Sequence, residues 1–303
     1  SRGMRFPPRL VPGARVGVVA TARKIAAADC QAGLAVFQPW NLAFEVAPAL
    51  TSNSHSYLAA SDAERARDLQ AFINRPDLAA ILCARGGYGT TRIIDQLDFS
   101  ALQQHPKWII GFSDVTALHL RLQREQLASI HGAMPIQLRQ PQHRQSLESL
   151  IACLFHGTFR LHAPAHPHNR TGAVRAPLTG GNLSLVVDSL GTPDEIDTHG
   201  KILLLEEVDE YHYKLDRMLV QLQRAGKLQH LAGLAVGHLT AMKETELPFG
   251  ETCEAIVRQH VAAYHYPVAF GLPFGHDAPN HSWIMGAPAQ LHVAAAATTL
   301  ASG

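Results

Sequence analysis

The residue with the clearest chemical potential in this sequence is Ser113. It follows the apolar run 108–112, which predicts a short buried strand, and it precedes residues with the apolar spacing of a helix. A serine on such a turn exposes its hydroxyl group, and the N–H groups at a helix start can stabilise an anion. Gly111 and Ser113 match half of the G-x-S-x-G nucleophile motif, but Val115 replaces the second glycine. The pattern therefore predicts a nucleophile or a helix-capping serine.

A glycine pair, Gly86 and Gly87, follows a second short apolar run at 78–83. Glycine lets the backbone turn sharply and lets N–H groups approach a ligand closely. The spacing matches neither G-x-G-x-x-G nor a phosphate-binding loop that ends in Gly-Lys-Ser/Thr. We therefore expect these glycines to form a simple turn or to donate to an oxyanion.

The remaining acid–base candidates lie in the second half of the sequence. Glu206 and Glu207 end an apolar run, and adjacent side chains of a strand point to opposite sides. One carboxylate should therefore face the interior and need a partner, for which an ion pair with Arg217 is the structural alternative. His276 lies in a loop rich in proline and glycine that follows a predicted strand, which is a suitable position for a general base.

The histidine and cysteine patterns do not predict a metal site. The sequence contains 18 histidines but neither H-E-x-x-H nor H-x-x-E-H. His162, His166 and His168 cluster without a nearby acidic residue or cysteine, as expected of a solvated loop. The four cysteines are far apart in the sequence and are expected to be reduced, buried thiols. No metal and no other cofactor is predicted.

Composition narrows the class of protein. The 303 residues are 47% hydrophobic and 17% charged, as is usual for a folded protein with a sizeable core. The formal net charge of +1 lacks the basic excess of nucleic-acid-binding proteins. No apolar run approaches the roughly 18 residues of a membrane span, and the first residues lack the apolar core of a signal peptide. We therefore expect a cytoplasmic protein without nucleic-acid or membrane partners.

The elements that position these residues predict two domains. Strands and helices alternate through residues 1–157, which is typical of a parallel α/β sheet, and both the glycine pair and Ser113 follow strand ends, where such sheets carry their functional groups. Residues 158–175 are rich in His, Pro, Arg and Gly and predict an interdomain linker. Shorter strands mixed with helices in residues 176–303 predict an α+β domain.

Six segments together resemble the LD-carboxypeptidase family of serine peptidases, which also contains the microcin C immunity hydrolases. The segments lie at 84–89, 110–116, 131–132, 178–183, 205–207 with 213–217, and 275–276. They follow the family's order and span nearly the whole chain. The resemblance implies an amidotransferase-like N-terminal α/β domain that carries the nucleophile and a C-terminal domain of mixed strands and helices that carries the acid and the base.

The resemblance also implies the roles of individual residues. Ser113 would be the nucleophile, His276 the general base, and Glu206 the carboxylate that orients the histidine. The backbone N–H groups of Gly87 and Asp114 would form the oxyanion hole. Glu206 rather than Glu207 is chosen because of the family position, since the single sequence does not separate the two.

The resemblance implies hydrolysis of the L–D amide bond that releases terminal D-alanine from muramoyl tetrapeptides during peptidoglycan recycling. It also implies that the reaction passes through an acyl-enzyme and that the protein is a homodimer. Arg85, with Gly86, is expected to bind the carboxylate of the muropeptide, and a salt bridge is the alternative role for Arg85. An immunity hydrolase for peptide-nucleotide toxins is a second possibility. It should need a loop aromatic residue to stack on a base, and residues 156–175 offer only Phe159. The third is a non-catalytic muropeptide-binding module.

Overall fold

The computed structural model describes residues 3–303, which form two compact units. The first unit contains the chain up to Gly157 together with His281–Gly286. The second unit contains Thr158–Asn280 and Ala287–Gly303.

The strands are β1 (Arg15–Val19), β2 (Ala43–Val46), β3 (Leu78–Cys83), β4 (Trp108–Gly111), β5 (Ser129–His131), β6 (Arg160–Pro164), β7 (Gly172–Asn182), β8 (Ile202–Val208), β9 (Gly233–Thr240), β10 (Val268–Ala269), β11 (Trp283–Met285), β12 (Pro288–Val293) and β13 (Ala297–Ser302). The α-helices are α1 (Ala27–Ala35), α2 (Asp62–Ile73), α3 (Thr90–Ile93), α4 (Ala101–Gln104), α5 (Thr116–Arg124), α6 (Pro135–Leu138), α7 (Arg144–Ile151), α8 (Leu183–Asp188), α9 (His212–Arg224) and α10 (Cys253–His260). Short 3-10 turns connect several of them.

The first unit is built on a six-stranded sheet in the order β11-β5-β4-β3-β1-β2. Strands β1 to β5 are parallel, and β11 pairs antiparallel with β5. Every residue of β4 is buried, as expected where helices cover both faces of a parallel sheet. This arrangement confirms the α/β class predicted from the alternation of strands and helices.

The spacing of Ser61 and Glu64 in the sequence predicts a capping box at the start of α2, and the box is present. The Ser61 hydroxyl accepts from the Glu64 N–H, and the Glu64 carboxylate accepts from the Ser61 N–H. This helix covers β1, where a Cβ added to Gly17 would lie 2.5 Å from the Phe72 ring. The strand therefore needs glycine at that point for the helix to pack so closely.

The second unit is built on a seven-stranded sheet in the order β10-β9-β8-β7-β12-β13-β6. Strands β7 to β10 are parallel, whereas β12, β13 and β6 pair antiparallel. The mixed sheet with α8, α9 and α10 agrees with the predicted C-terminal domain of mixed strands and helices.

The predicted linker at 158–175 is wrong in its secondary structure. The stretch contains all of β6 and the beginning of β7. In β6, Leu161 and Ala163 are buried while their neighbours are exposed, so the two-residue period of a strand is present. This strand was not predicted because the alternation covers only five residues and is interrupted in the sequence by His162 and by prolines.

The cysteines and the lengths of the helices bear on two predictions made from the sequence. All four cysteines are free and buried, as predicted. Within residues 3–303, the helices are too short or too polar to pass through a bilayer.

Gly33 provides a test of the packing in the first unit. A Cβ at this position in α1 would lie 2.2 Å from the Pro135 carbonyl oxygen, at the start of α6. Gly33→Ala should therefore lower the free energy of unfolding by about 2 kcal/mol, although alanine normally favours a helix. Urea unfolding measures the change, and Gln31→Ala, on the exposed side of the same helix, is the matched control. A Gly33→Ala protein as stable as the parent would contradict this packing.

Candidate active site

Ser113 occupies a strained turn between β4 and α5. Its φ of 64° lies in the left-handed region, which costs a non-glycine residue of the order of 1 kcal/mol. A serine in such a conformation between a strand and a helix has the backbone geometry of a nucleophile elbow. Ser113 does not occupy the N-cap position of either helical element, since Phe112 precedes the 3-10 turn at Ser113–Val115 and Val115 precedes α5.

Gly111 packs closely against Val115, the residue that replaces the second glycine of the elbow motif. A Cβ added to Gly111 would lie 2.9 Å from a methyl carbon of Val115, which is fully buried. The glycine before the serine is therefore required by the valine after it. Gly111 is held further by His119, whose Nε2 lies 2.8 Å from the Gly111 carbonyl oxygen. Burial lowers the pKa of His119 to about 4, so that this ring is a neutral structural donor rather than a general base.

The glycine pair lies beside the serine, because β3 and β4 are neighbours in the sheet. A Cβ added to Gly86 would lie 3.3 Å from the Ser113 Cβ and 3.4 Å from its Oγ. Gly87 has a φ of 104°, which only glycine adopts readily. Within residues 3–303, no hydrogen bond uses the backbone N–H of Gly87 or of Asp114. Both donors can therefore serve a substrate oxygen.

A buried polar network joins the glycine loop to the serine turn. The Asp114 side chain is 2% exposed, and its Oδ2 accepts from the Thr90 N–H at 2.9 Å. Arg65, 1% exposed, donates to the carbonyl oxygens of Gly89 at 3.0 Å and Thr21 at 2.6 Å. Arg65 was not predicted from the sequence, although its spacing from the buried Leu69 and Phe72 places it on the inner side of α2.

Two arginines lie near the glycine loop without an acidic partner. Arg85 is partly buried and donates to the Lys24 carbonyl oxygen at 3.3 Å. The Arg23 guanidinium lies over the Tyr57 ring at 5.7 Å, and its backbone N–H donates to Gly86. In the described part of the chain, neither guanidinium forms an ion pair. The salt-bridge role considered for Arg85 is therefore absent.

Burial lowers the pKa of Arg85, and the nearby charge of Arg23 acts in the same direction. Two guanidinium groups of like charge repel each other, and an anion bound beside them would offset this repulsion. The pair therefore offers a binding position for a carboxylate.

In the second unit the structure brings Glu206 and His276 together. Glu206 is fully buried, and its Oε2 lies 2.7 Å from Nδ1 of His276. Burial would lower the pKa of His276, but the charge and hydrogen bond of Glu206 outweigh it and the pKa is raised. A proton on Nδ1 leaves Nε2 as the basic nitrogen of the neutral ring. The pair therefore has the geometry of a general base and its orienting carboxylate.

The structure gives the two adjacent carboxylates different partners, a distinction that the sequence alone could not make. Glu206 contacts His276, whereas Glu207 accepts hydrogen bonds from the Ser184 N–H at 2.9 Å and the Val208 N–H at 3.0 Å. Arg217 stacks on the Tyr213 ring at 5.6 Å and forms no ion pair with either carboxylate. No group of three or more potential metal ligands occurs in residues 3–303.

Known proteins provide an independent comparison. Residues 16–132 match the model of the LD-carboxypeptidase N-terminal domain, and residues 175–291 match the model of the LD-carboxypeptidase C-terminal domain. The "Probable murein peptide carboxypeptidase" of Bacillus subtilis is 33% identical, with 98% of this chain and 94% of the relative aligned. The "Murein tetrapeptide carboxypeptidase" of Pseudomonas aeruginosa is 31% identical, over 91% and 92% of the two chains.

Solved structures agree with these matches. The muramoyltetrapeptide carboxypeptidase from Oxalobacter formigenes has a TM-score of 0.87 and 27% identity, over 95% of this chain and 98% of that protein. The microcin C7 self-immunity protein MccF has a TM-score of 0.85 with 17% identity, over 99% and 98% of the chains, and is similar in fold alone. The chain belongs to the LD-carboxypeptidase family and is a serine-type carboxypeptidase.

Proposed function

We propose that this protein releases terminal D-alanine from muramoyl tetrapeptides, with Ser113 as nucleophile, His276 as general base and Glu206 as the carboxylate that orients the base. The observation that carries the proposal is the strained turn that presents Ser113 next to Gly86. The Glu206–His276 pair supplies the matching base. The proposal requires a residue of the first unit and a pair in the second unit to act on the same peptide.

In the first half of the reaction, Oγ of Ser113 attacks the carbonyl carbon of the L–D amide bond while Nε2 of His276 takes the hydroxyl proton. The negative charge on the carbonyl oxygen is stabilised by the backbone N–H groups of Gly87 and Asp114. Each such donor contributes roughly 3 kcal/mol to lowering the barrier in comparable enzymes. The imidazolium then gives its proton to the leaving nitrogen, and D-alanine departs from the acyl-enzyme.

In the second half, water attacks the ester while His276 again accepts a proton. The tetrahedral intermediate collapses, the Ser113 oxygen regains its proton, and the shortened peptide is released. Glu206 remains ionised throughout and stabilises the imidazolium that forms in both halves. No metal and no organic cofactor enters this sequence of steps.

The substrate carboxylate is assigned to Arg85. Its guanidinium lacks an ion-pair partner within residues 3–303. Arg85 lies two residues after the end of β3, next to Gly86. Arg23, in the loop that follows β1, adds a second positive charge, and its guanidinium stacks on Tyr57. A carboxypeptidase must distinguish a free chain end from an internal peptide bond, and paired guanidinium groups are suited to that task.

We further propose that the protein acts in the cytoplasm, takes part in the recycling of cell-wall peptides and forms a homodimer. These parts of the proposal rest on the resemblance to the family. Cleavage of a peptide-nucleotide toxin is the second candidate, because the fold is also similar to that of the microcin C7 self-immunity protein MccF. Phe159, the aromatic residue considered for stacking on a base, is 4% exposed and lies in the core. The tetrapeptide activity is therefore preferred, and turnover of an acyl-sulfamoyl adenylate in the same assay compares the two candidates directly.

Replacement of the nucleophile gives the first test of the reaction. Ser113→Ala should reduce D-alanine release from a muramoyl tetrapeptide by at least about 1,000-fold, since only binding and oxyanion stabilisation would remain. Ser100→Ala, an exposed serine of the same unit, should keep full activity, and EDTA should not change the parental rate. A serine-reactive phosphonate should label Ser113 in mass spectrometry, whereas a binding module would give no adduct. Undiminished hydrolysis by Ser113→Ala would refute the proposal.

The Glu206–His276 pair predicts a specific pH dependence. Activity needs neutral His276, so kcat/KM should rise with pH through the pKa of His276, which lies above its ordinary value. Glu206→Gln removes the charge that favours the imidazolium, so the acid limb should move to lower pH while the plateau falls roughly 1,000-fold. The pH profile of the residual activity measures both effects. An acid limb that stays in place would show that another group titrates.

The role of Arg85 can be tested through the substrate. Arg85→Gln should raise KM about tenfold or more for a tetrapeptide with a free terminal carboxylate, because a charge-assisted hydrogen bond is lost. The C-terminal amide of the same peptide should react equally slowly with both proteins. Arg67→Gln, on the exposed side of α2, is the charge-matched control and should leave KM unchanged. Equal discrimination by Arg85→Gln and the parent would exclude Arg85 from carboxylate binding.

A further inference from the structure

The second oxygen of Glu206 has a partner that the reaction scheme does not use. Asn182 ends β7 at the position paired with Glu206 on the neighbouring strand β8. Its amide nitrogen, Nδ2, lies 3.2 Å from Oε1 of Glu206 and 2.8 Å from Oε2 of Glu207. A primary amide has two N–H groups, so one can be directed to each carboxylate.

The orientation of this amide is fixed from its other end. The Oδ1 atom of Asn182 accepts from the Leu185 N–H at 3.2 Å and caps α8. Because the oxygen is committed to the helix, the nitrogen must face the two carboxylates. Asn182, 3% exposed, therefore joins a helix start to the carboxylate that binds His276.

Glu207 holds the opposite side of this arrangement. It is 2% exposed, and besides Asn182 it accepts from the Ser184 N–H, the Ser184 hydroxyl and the Val208 N–H. Both of its oxygens are contacted by donors, as a carboxylate requires. Placing a second buried carboxylate beside Glu206 is electrostatically costly, so a purely structural role would be served better by a neutral side chain.

We propose that Asn182 and Glu207 are positioning residues for the His276–Glu206 pair. This inference rests on the proposed function of that pair. Asn182 fixes the rotation of the Glu206 carboxylate so that Oε2 faces His276. Glu207 holds the Asn182 amide in place and adds a negative charge behind Glu206, which makes His276 a stronger base and stabilises its protonated form during the reaction.

The electrostatics of the second unit agree with this assignment. Burial lowers the pKa of His276, but the charges of Glu206, Glu207 and Asp277 raise it, and the net shift is upward. His238 is a further titratable ring in this unit, and its Nε2 contacts the Pro279 carbonyl oxygen at 2.8 Å. Glu207 contacts the same Asn182 amide as Glu206.

The test measures the titration of His276 separately from catalysis. NMR titration of histidine-labelled full-length protein in the Ser113→Ala background identifies the His276 signal by its loss in His276→Asn. Glu207→Gln and Asn182→Ser should each move the titration of His276 to lower pH. Serine retains the capping oxygen for α8 but has no amide to share, so Asn182→Ser separates the two roles of Asn182. Asp209→Asn, an exposed carboxylate that pairs with Lys243, is the control and should change nothing.

Kinetics with the native Ser113 supply the second readout. Glu207→Gln and Asn182→Ser should lower kcat about tenfold with little change in KM, and the acid limb of kcat/KM should move to lower pH. An unaltered His276 titration together with a kcat within about twofold of the parent, in both variants, would overturn the inference. If His276 responds while Ser113→Ala retains hydrolysis, the inference stands and the proposed nucleophile fails. Should Asn182→Ser unfold, Glu207→Gln alone decides between these outcomes.

Discussion

One buried guanidinium organises the carboxyl edge of the first sheet. Arg65 reaches from α2 and donates to the carbonyl oxygens of Ala60, Thr21 and Gly89, which belong to three different loops, while Asp62 balances its charge. Loops of this kind have few apolar side chains to hold them, and their carbonyl groups would otherwise need water. The shape of the glycine loop beside Ser113 therefore depends on a buried cation.

The second unit solves a different electrostatic problem. It buries the Glu206 carboxylate completely, and the proposed mechanism needs this group as an anion, since a protonated acid would not stabilise an imidazolium. The Asn182 amide donates to both Glu206 and Glu207, and the backbone N–H groups of Ser184 and Val208 donate to Glu207. A lysine or arginine in place of these donors would weaken the field that favours a protonated His276. Both units thus bury a charge and satisfy it largely through hydrogen bonds with uncharged groups. In the first unit the charge shapes loops, and in the second it lies beside the proposed base.

The sequence predicted the parts of this arrangement that depend on local pattern. Strand ends, the capping box at Ser61 and the turn at Ser113 all follow from neighbouring residues. The strand at 160–164 was missed because so short an alternation contains a histidine and a proline. Arg65 and Asn182 were missed as functional residues because their partners lie in other elements, and single-sequence patterns contain no information about such distances. The choice of Glu206 over Glu207 came from the family resemblance, and the contact with His276 gives it a physical basis.

The left-handed backbone of Ser113 has a consequence for how the protein would change under selection. Glycine adopts this conformation without strain, so a serine is held here at the expense of folding free energy. A library screened only for heat resistance would therefore accumulate chains with glycine at this position, which lack the proposed nucleophile. Under the proposed function, the serine persists only where hydrolysis itself is under selection, and stability and turnover are opposed at a single backbone angle.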